Sequence, residues 1–310
     1  MISNTVPMKK IKEMTREEGI APGTPLCAGC GGLEALRLVQ KELGNDVLYT
    51  NAAGCFTLLS VYPFTPFRGS WLYTSMSSPA AAAQGVRDAL DVRMQKHGLP
   101  KTEDLQVMVV AGDGSTFDMG LAPTSAAIHR GLDFFYFCYD NEGYGNTGFQ
   151  LSASSPYGSA TQTSPGTPIH PAGAEQNKKN LFDIWMAHNP VYLATISPRE
   201  PVDLTNKIRK AKQLKGPKLI LSLSPCPTGW GFDPQETNVI AKLAVDTGIF
   251  PLKEYCEGRL VHTKRPRKRV SVEKYLERQK RFRHLFFPQR QDEVIARIQK
   301  NIDEYWGRYE

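Results

Sequence analysis

Four short, mostly apolar runs punctuate the chain: Leu105 to Val110, Phe134 to Tyr139, Val191 to Ile196 and Lys218 to Leu223. Apolar runs of this length without alternation predict strands buried on both faces, as in a parallel sheet. Between them apolar residues recur at helical spacing, over Phe117 to His129, Asn180 to His188 and Pro201 to Leu214. Upstream, Leu33 to Leu43 reads as an amphipathic helix, and Pro79 to Leu90 as another with small residues that permit close packing. Strands separated by helices predict a doubly wound, mostly parallel α/β sheet with helices on both faces. Ligands of such sheets bind beyond the carboxyl ends of the strands. Two runs end in polar chemistry there, the first in Gly112-Asp113-Gly114 and the second in Asp140-Asn141.

From Tyr144 to Pro171 the composition turns to Gly, Ser, Thr and Pro, which predicts a long loop of the functional kind. After Trp230 the pattern reads as mostly helical and charged, from Pro234 to Ala244 and from Val272 to Tyr309. The expected division is an α/β domain over 1–235 and a mostly helical, basic arm for subunit contacts over 236–310.

Composition narrows the class. At 41% hydrophobic and 22% charged, the chain is neither disordered nor fibrous. No apolar run approaches the roughly 18 residues needed to cross a bilayer, and the N-terminal stretch has no secretory apolar region. A soluble, cytoplasmic protein is expected, with no membrane partner. The net charge of +7 is concentrated: six of the eleven residues from Arg259 to Arg269 are Lys or Arg. They do not interleave with aromatics as a base-stacking platform would, so docking on a neighbouring subunit or on an acidic protein is expected rather than nucleic acid.

Two constellations carry candidate chemistry. A strand ending in Gly112-Asp113-Gly114 lets backbone N–H groups approach a diphosphate, while Asp113 offers Mg²⁺ a carboxylate oxygen and Asn141 an amide oxygen. With this spacing the pair resembles the thiamine diphosphate signature. The second constellation is Cys27-x-x-Cys30, Cys55 and Cys226. Four thiolates suit zinc or a [4Fe–4S] cluster, and spacing alone does not separate them. The plain alternatives are buried thiols at Cys55 and Cys226 and a dithiol pair at Cys27 and Cys30. Cys138, inside an apolar run, reads as core, and Cys256 has no evident role. A nucleic-acid-binding protein built on a four-cysteine zinc site is the competing class. Iron and sulfide analysis separates it from a redox enzyme.

The segments CAGCGGLEALRLV (27–39), AAGCFTLLSVYPFTPFRGSW (52–71), AGDGSTFDMGL (111–121), CYDNEGYGNTGFQ (138–150), SPCPTGWGFDP (224–234) and EKYLERQKRFRHL (273–285) together resemble the β subunit of 2-oxoacid:ferredoxin oxidoreductases, the pyruvate synthase family. The resemblance implies a [4Fe–4S] cluster on Cys27, Cys30, Cys55 and Cys226. It implies Mg²⁺ on Asp113, Asn141 and the Gly143 carbonyl. Thiamine diphosphate would meet Gly112, Gly114, Ser115, Thr116 and Thr147, and Asn146 would face the reacting carbon. The glutamate that activates the cofactor belongs to another subunit in this family, so α and γ/δ-type subunits are expected partners and the chain alone is expected to be inert. Ferredoxin is the implied acceptor and a small 2-oxoacid the implied substrate. One segment departs from the family: where pyruvate enzymes carry a His and an acidic residue, this chain has Tyr73 and Ser77, and Gln150 is followed by Leu151. A pocket without that carboxylate, and supplied with hydroxyls from Tyr73, Thr74, Ser75, Ser77 and Ser78, favours a dianion such as oxalate over pyruvate.

Overall fold

The computed structural model describes residues 8–63, 65–98, 105–266 and 269–309. Residues 267–268 of the basic stretch and the first seven residues of the chain lie outside these.

Eight strands form one sheet: β1 (Val47–Ala52), β2 (Trp71–Thr74), β3 (Gln106–Gly112), β4 (Phe134–Asp140), β5 (Tyr192–Ile196), β6 (Pro217–Leu223), β7 (Leu252–Cys256) and β8 (Arg259–Lys264). Their order is β2-β1-β3-β4-β6-β5-β7-β8, parallel through β5 and antiparallel at β7 and β8. Along β3 and β4 successive side chains point to opposite faces, so both faces need cover. Met108, Val110, Phe135 and Phe137 pack with α1 (Gly31–Leu43), while Val107, Val109, Phe134 and Tyr136 pack on the other side with residues of α2 (Pro79–His97) and α3 (Leu121–His129). Further cover comes from α4 (Leu181–Met186) and α5 (Pro201–Lys212). Cys138 is fully buried in this layer, as expected. A third apolar cluster gathers Trp230, α6 (Thr237–Asp246), α7 (Glu273–Leu276) and α8 (Asp292–Gly307).

The doubly wound α/β reading therefore holds, with three differences in detail. The helix from Pro79 runs on to His97. The stretch from Val272 is broken into α7, a 3-10 segment at Lys280–Leu285 and α8. Most informative, the region after Trp230 is not only helical, because the hairpin β7–β8 extends the sheet. Half of the basic stretch is thus the edge strand β8, short and bounded by Arg259 and Lys264, charges that discourage pairing with another chain. No helix among the described residues is long and apolar enough to cross a membrane.

Candidate active site

The chain runs from β1 outward to β2 and then, through β3, to β4 on the opposite side. The strand order therefore reverses between β1 and β3, which is where open parallel sheets leave a crevice. A cavity of about 130 Å³ lies at their carboxyl ends. Four loops line it: Ala53 to Cys55 after β1, Met76 after β2, Gly112 to Ser115 after β3, and residues of the 141–147 turn after β4.

Its oxygen donors converge. One terminal atom of the Asn141 amide lies 2.7 Å from the Gly143 carbonyl oxygen and 2.6 Å from Asp113 Oδ1. With its nitrogen turned inward the amide donates to both. With its oxygen inward it completes three oxygens spaced like neighbouring ligands of octahedral Mg²⁺, about 2.9 Å apart for bonds of 2.0–2.1 Å. Asp113 is fully buried, and burial, then the charge of Asp140, push its carboxyl well above the usual carboxylate range. Ser152 Oγ donates to its other oxygen at 2.5 Å. A divalent cation would supply the charge that this carboxylate lacks. The close approach of the loops demands glycine: a Cβ at Gly114 would sit 2.3 Å from the Tyr144 ring, and one at Gly145 would sit 2.7 Å from the Asn141 amide and 3.3 Å from Cys55 Sγ. The space beside Gly145 is thus bounded by both the Asn141 amide and a cysteine.

The four cysteines gather on one side of this cavity. Cys30 caps α1, Cys55 opens the 3-10 turn Cys55–Leu59, and Cys226 caps the turn Pro227–Gly231, where the Gly229 N–H donates to its sulfur at 3.2 Å. Such starts present N–H groups that favour thiolate. Burial, with the neighbouring thiols adding to it, pushes Cys30 up to about 11 and Cys55 up to about 12, and raises Cys226. The mutual effect places all four within electrostatic reach of one another. Yet among the described residues no three His, Cys, Asp or Glu side chains form a shell for one metal ion. A tetrahedral zinc with bonds of about 2.3 Å would need sulfurs less than about 4 Å apart. A cluster that binds each thiolate through a different iron fits the wider set better.

Of the other residues expected here, Ser115, Asn146 and Thr147 line the cavity, and Thr147 Oγ1 meets Gln150 Oε1 at 2.5 Å. Thr116 is not among the lining residues: its hydroxyl donates to the Gly112 carbonyl at 2.8 Å and accepts from Tyr136. The segment at 73–78 reaches the cavity through Met76, whose carbonyl accepts from Ser115. Ser75, Ser77 and Ser78 bond to one another beside it, at 2.8–3.4 Å. Cys256 lies at the end of β7, away from this group.

Several residues escaped the sequence pattern. Tyr139 lines the cavity, stacks on Phe56 at 4.0 Å, and has a buried hydroxyl with no hydrogen-bond partner among the described residues. Burial, then the charge Cys55 can carry, push its phenol well above its ordinary value, so it remains a donor. Behind the loop, Lys178 bridges Asp140 at 2.6 Å and Glu142 at 2.9 Å, and Arg281 pairs with Glu142 at 2.8 Å while stacking on Trp230. Burial works to raise the Glu142 carboxyl, but Lys178 and Arg281 outweigh it and hold it below the usual range. That pairing fixes Glu142 at φ +62°, a backbone conformation rare for a side chain of this kind. Trp230 Nε1 donates to the Asn141 carbonyl at 2.7 Å. None of these partners is near Asn141 in sequence, so only an Asp-Asn-Glu run signals the turn.

Residues 52–221 match the family model described as the C-terminal thiamine-pyrophosphate-binding domain of thiamine pyrophosphate enzymes. The chain is 43% identical to pyruvate synthase subunit PorB of Methanocaldococcus jannaschii, over 95% of this chain and 97% of that one. It is 37% identical to ketoisovalerate oxidoreductase subunit VorB of Pyrococcus abyssi, over 94% and 92% respectively. Among solved structures, 2-oxoglutarate:ferredoxin oxidoreductase from Magnetococcus marinus shares the fold, with a TM-score of 0.56 and 19% identity over 94% of this chain and 99% of that one.

Proposed function

Because this chain belongs to the β-subunit family of 2-oxoacid:ferredoxin oxidoreductases, thiamine-diphosphate enzymes that act with partner subunits, we propose that it holds both the cofactor and an electron exit for the oxidative decarboxylation of a small 2-oxoacid. Asp113, Asn141 and the Gly143 carbonyl would hold Mg²⁺, with Gly112, Gly114, Ser115 and Thr147 around the diphosphate. Thr116 serves the site by holding the Gly112 carbonyl. Cys27, Cys30, Cys55 and Cys226 would hold a [4Fe–4S] cluster. Bound thiamine diphosphate supplies the electron sink for decarboxylation. This chain's part is to hold it: Asn146 presents an amide at the cavity mouth, and Tyr139 offers a donor inside. The single observation that carries the reading is that the Asn141 amide and Cys55 Sγ both crowd the one position where a side chain at Gly145 would stand, at 2.7 and 3.3 Å, since two sites flanking one residue suit direct electron passage from one to the other. Ferredoxin is the proposed acceptor, and 1–235 the part that carries both groups.

For the substrate we place oxalate first. Asp113 is the sole carboxylate on the cavity wall, among the described residues, and the metal would neutralise it. The segment at 73–78 touches the cavity through Met76, with the Ser75, Ser77 and Ser78 hydroxyls beside it, where an acidic side chain would repel a dianion. Pyruvate, with coenzyme A as co-substrate, is the second reading, favoured by the names of the relatives. The test is substrate-dependent reduction of a low-potential dye by the assembled complex. Oxalate turnover without coenzyme A, reduced far more than pyruvate turnover by Ser77→Glu, is the expected result. Strict coenzyme A dependence with pyruvate and no oxalate turnover would select the second reading. A colourless, iron-free complex that still reduced the dye would sink the cluster assignment.

A further inference from the structure

The loop carrying Asn141 has a second cavity on its other side, of about 530 Å³. It lies between the sheet, at Thr195 and Leu221, and the C-terminal elements, and its surface is mostly apolar, with Phe182, Phe250 and Leu276 among its walls. The charges on these walls are largely matched. Asp140 and Glu142 are paired with Lys178 and Arg281, Lys179 donates to the Phe117 carbonyl, and Glu304 at the rim is near Lys300 at 3.7 Å. Exposed Arg308 also lines the cavity; among the buried charges Lys253 is the exception. It comes from β7, is 6% exposed, and its amine makes no hydrogen bond or ion pair among the described residues. Its Nζ rests 4.1 Å from the centroid of the Phe182 ring and 5.1 Å from that of Tyr305. Burial pushes the amine down to about 8, opposed only by the charge of Asp183.

An ammonium largely withdrawn from water without a directly paired counter-charge is costly. Aromatic faces offset part of that cost, but a carboxylate would offset more. We propose that this cavity is a second ligand site, taking a small organic monocarboxylate whose anionic end meets Lys253 Nζ and whose apolar tail lies against Phe182, Phe250 and Leu276. Its volume suits a ligand of this size. Nothing in the argument depends on the cofactor assignments, because the two cavities share only the backbone of residues 140–143.

The probe is hexanoate, titrated calorimetrically into the assembled complex at pH 7, with 1-hexanol as its uncharged counterpart. The expected result is saturable binding of one hexanoate per copy of this chain, at least about tenfold tighter than hexanol, and not displaced by excess oxalate or pyruvate. Lys253→Met keeps the apolar bulk and orphans no partner, so it should fold, with a melting temperature at or above that of the unmodified complex. It should weaken hexanoate about tenfold or more, and Lys253→Arg should keep part of the affinity. Absence of saturable hexanoate binding, equal affinity for hexanol, or undiminished hexanoate affinity in a folded Lys253→Met complex would each overturn the proposal.

Discussion

The oxygen donors and the thiols of this site are neighbours, yet they are prepared in opposite ways. Asp113 and Asn141 stand at the ends of adjacent parallel strands, and the Asn141 amide lies 2.6 Å from Asp113 and 2.7 Å from the Gly143 carbonyl. The thiols come from three separate loops and a helix cap. They sense one another's charge but do not close on a common point. A rigid sheet can pre-form a hard-ion site, since small ions demand near-ideal geometry. Loop-borne thiols are instead drawn into place by the group they bind, and binding and local ordering become one event.

Asp113→Ala attacks the pre-formed half. It should weaken Mg²⁺-dependent thiamine diphosphate binding by about a thousandfold or more, the scale of losing a buried charge partner. Calorimetry on the complex checks this, and the brown cluster absorbance should survive. Serine at Cys27, Cys30, Cys55 or Cys226 attacks the other half. Each should lower iron and acid-labile sulfide while leaving cofactor affinity within about threefold, because the oxygen set is held by the sheet. Cys256→Ser should change neither. If a Cys226→Ser complex kept its iron, the four-thiol assignment would be wrong.

Gly145→Ala tests whether the halves are separable at all. Its added carbon meets both the Asn141 amide and Cys55, so cofactor affinity and iron content should fall together, the former about tenfold. Loss of one alone would show the halves to be independent. Tyr139→Phe has the smallest expected effect. Its hydroxyl makes no hydrogen bond among the described residues, so stability should change by less than about 0.5 kcal/mol. Cofactor affinity should fall by roughly threefold to tenfold, about the strength of one hydrogen bond. Unchanged affinity would remove Tyr139 from the site.

These contrasts also explain what could be read in advance. Asp113, Asn141 and the cysteines announce themselves because their spacing follows from strand ends and turns, which are local. Tyr139 is indistinguishable in sequence from the core aromatics beside it, as its orphaned hydroxyl is evident only in three dimensions. Lys178 and Arg281 lie 36 or more residues from the turn they neutralise. The β7–β8 hairpin was hidden for another reason. A half-exposed edge strand running straight into a cluster of Lys and Arg reads as part of a solvated arm, and only pairing with β5 through β7 reveals it as sheet. Thr116 looked like a ligand residue because it follows the glycines, but a wide helical turn over Gly114–Met119 rotates its hydroxyl back onto the strand.

Residues 140 to 143 form a partition with two different sides. Asp140 and Glu142 face the larger cavity, whereas Asn141 and Gly143 face the smaller. A two-residue period of this kind tolerates no insertion or deletion: slipping by one position would put a carboxylate where the amide stands and strand Lys178 and Arg281 without their anions. The partition is therefore a poor place for a lineage to explore new substrates. That freedom belongs instead to the segment after β2, a short strand at the free margin of the sheet, which can change length and chemistry without disturbing Asp113, Asn141 or Gly143.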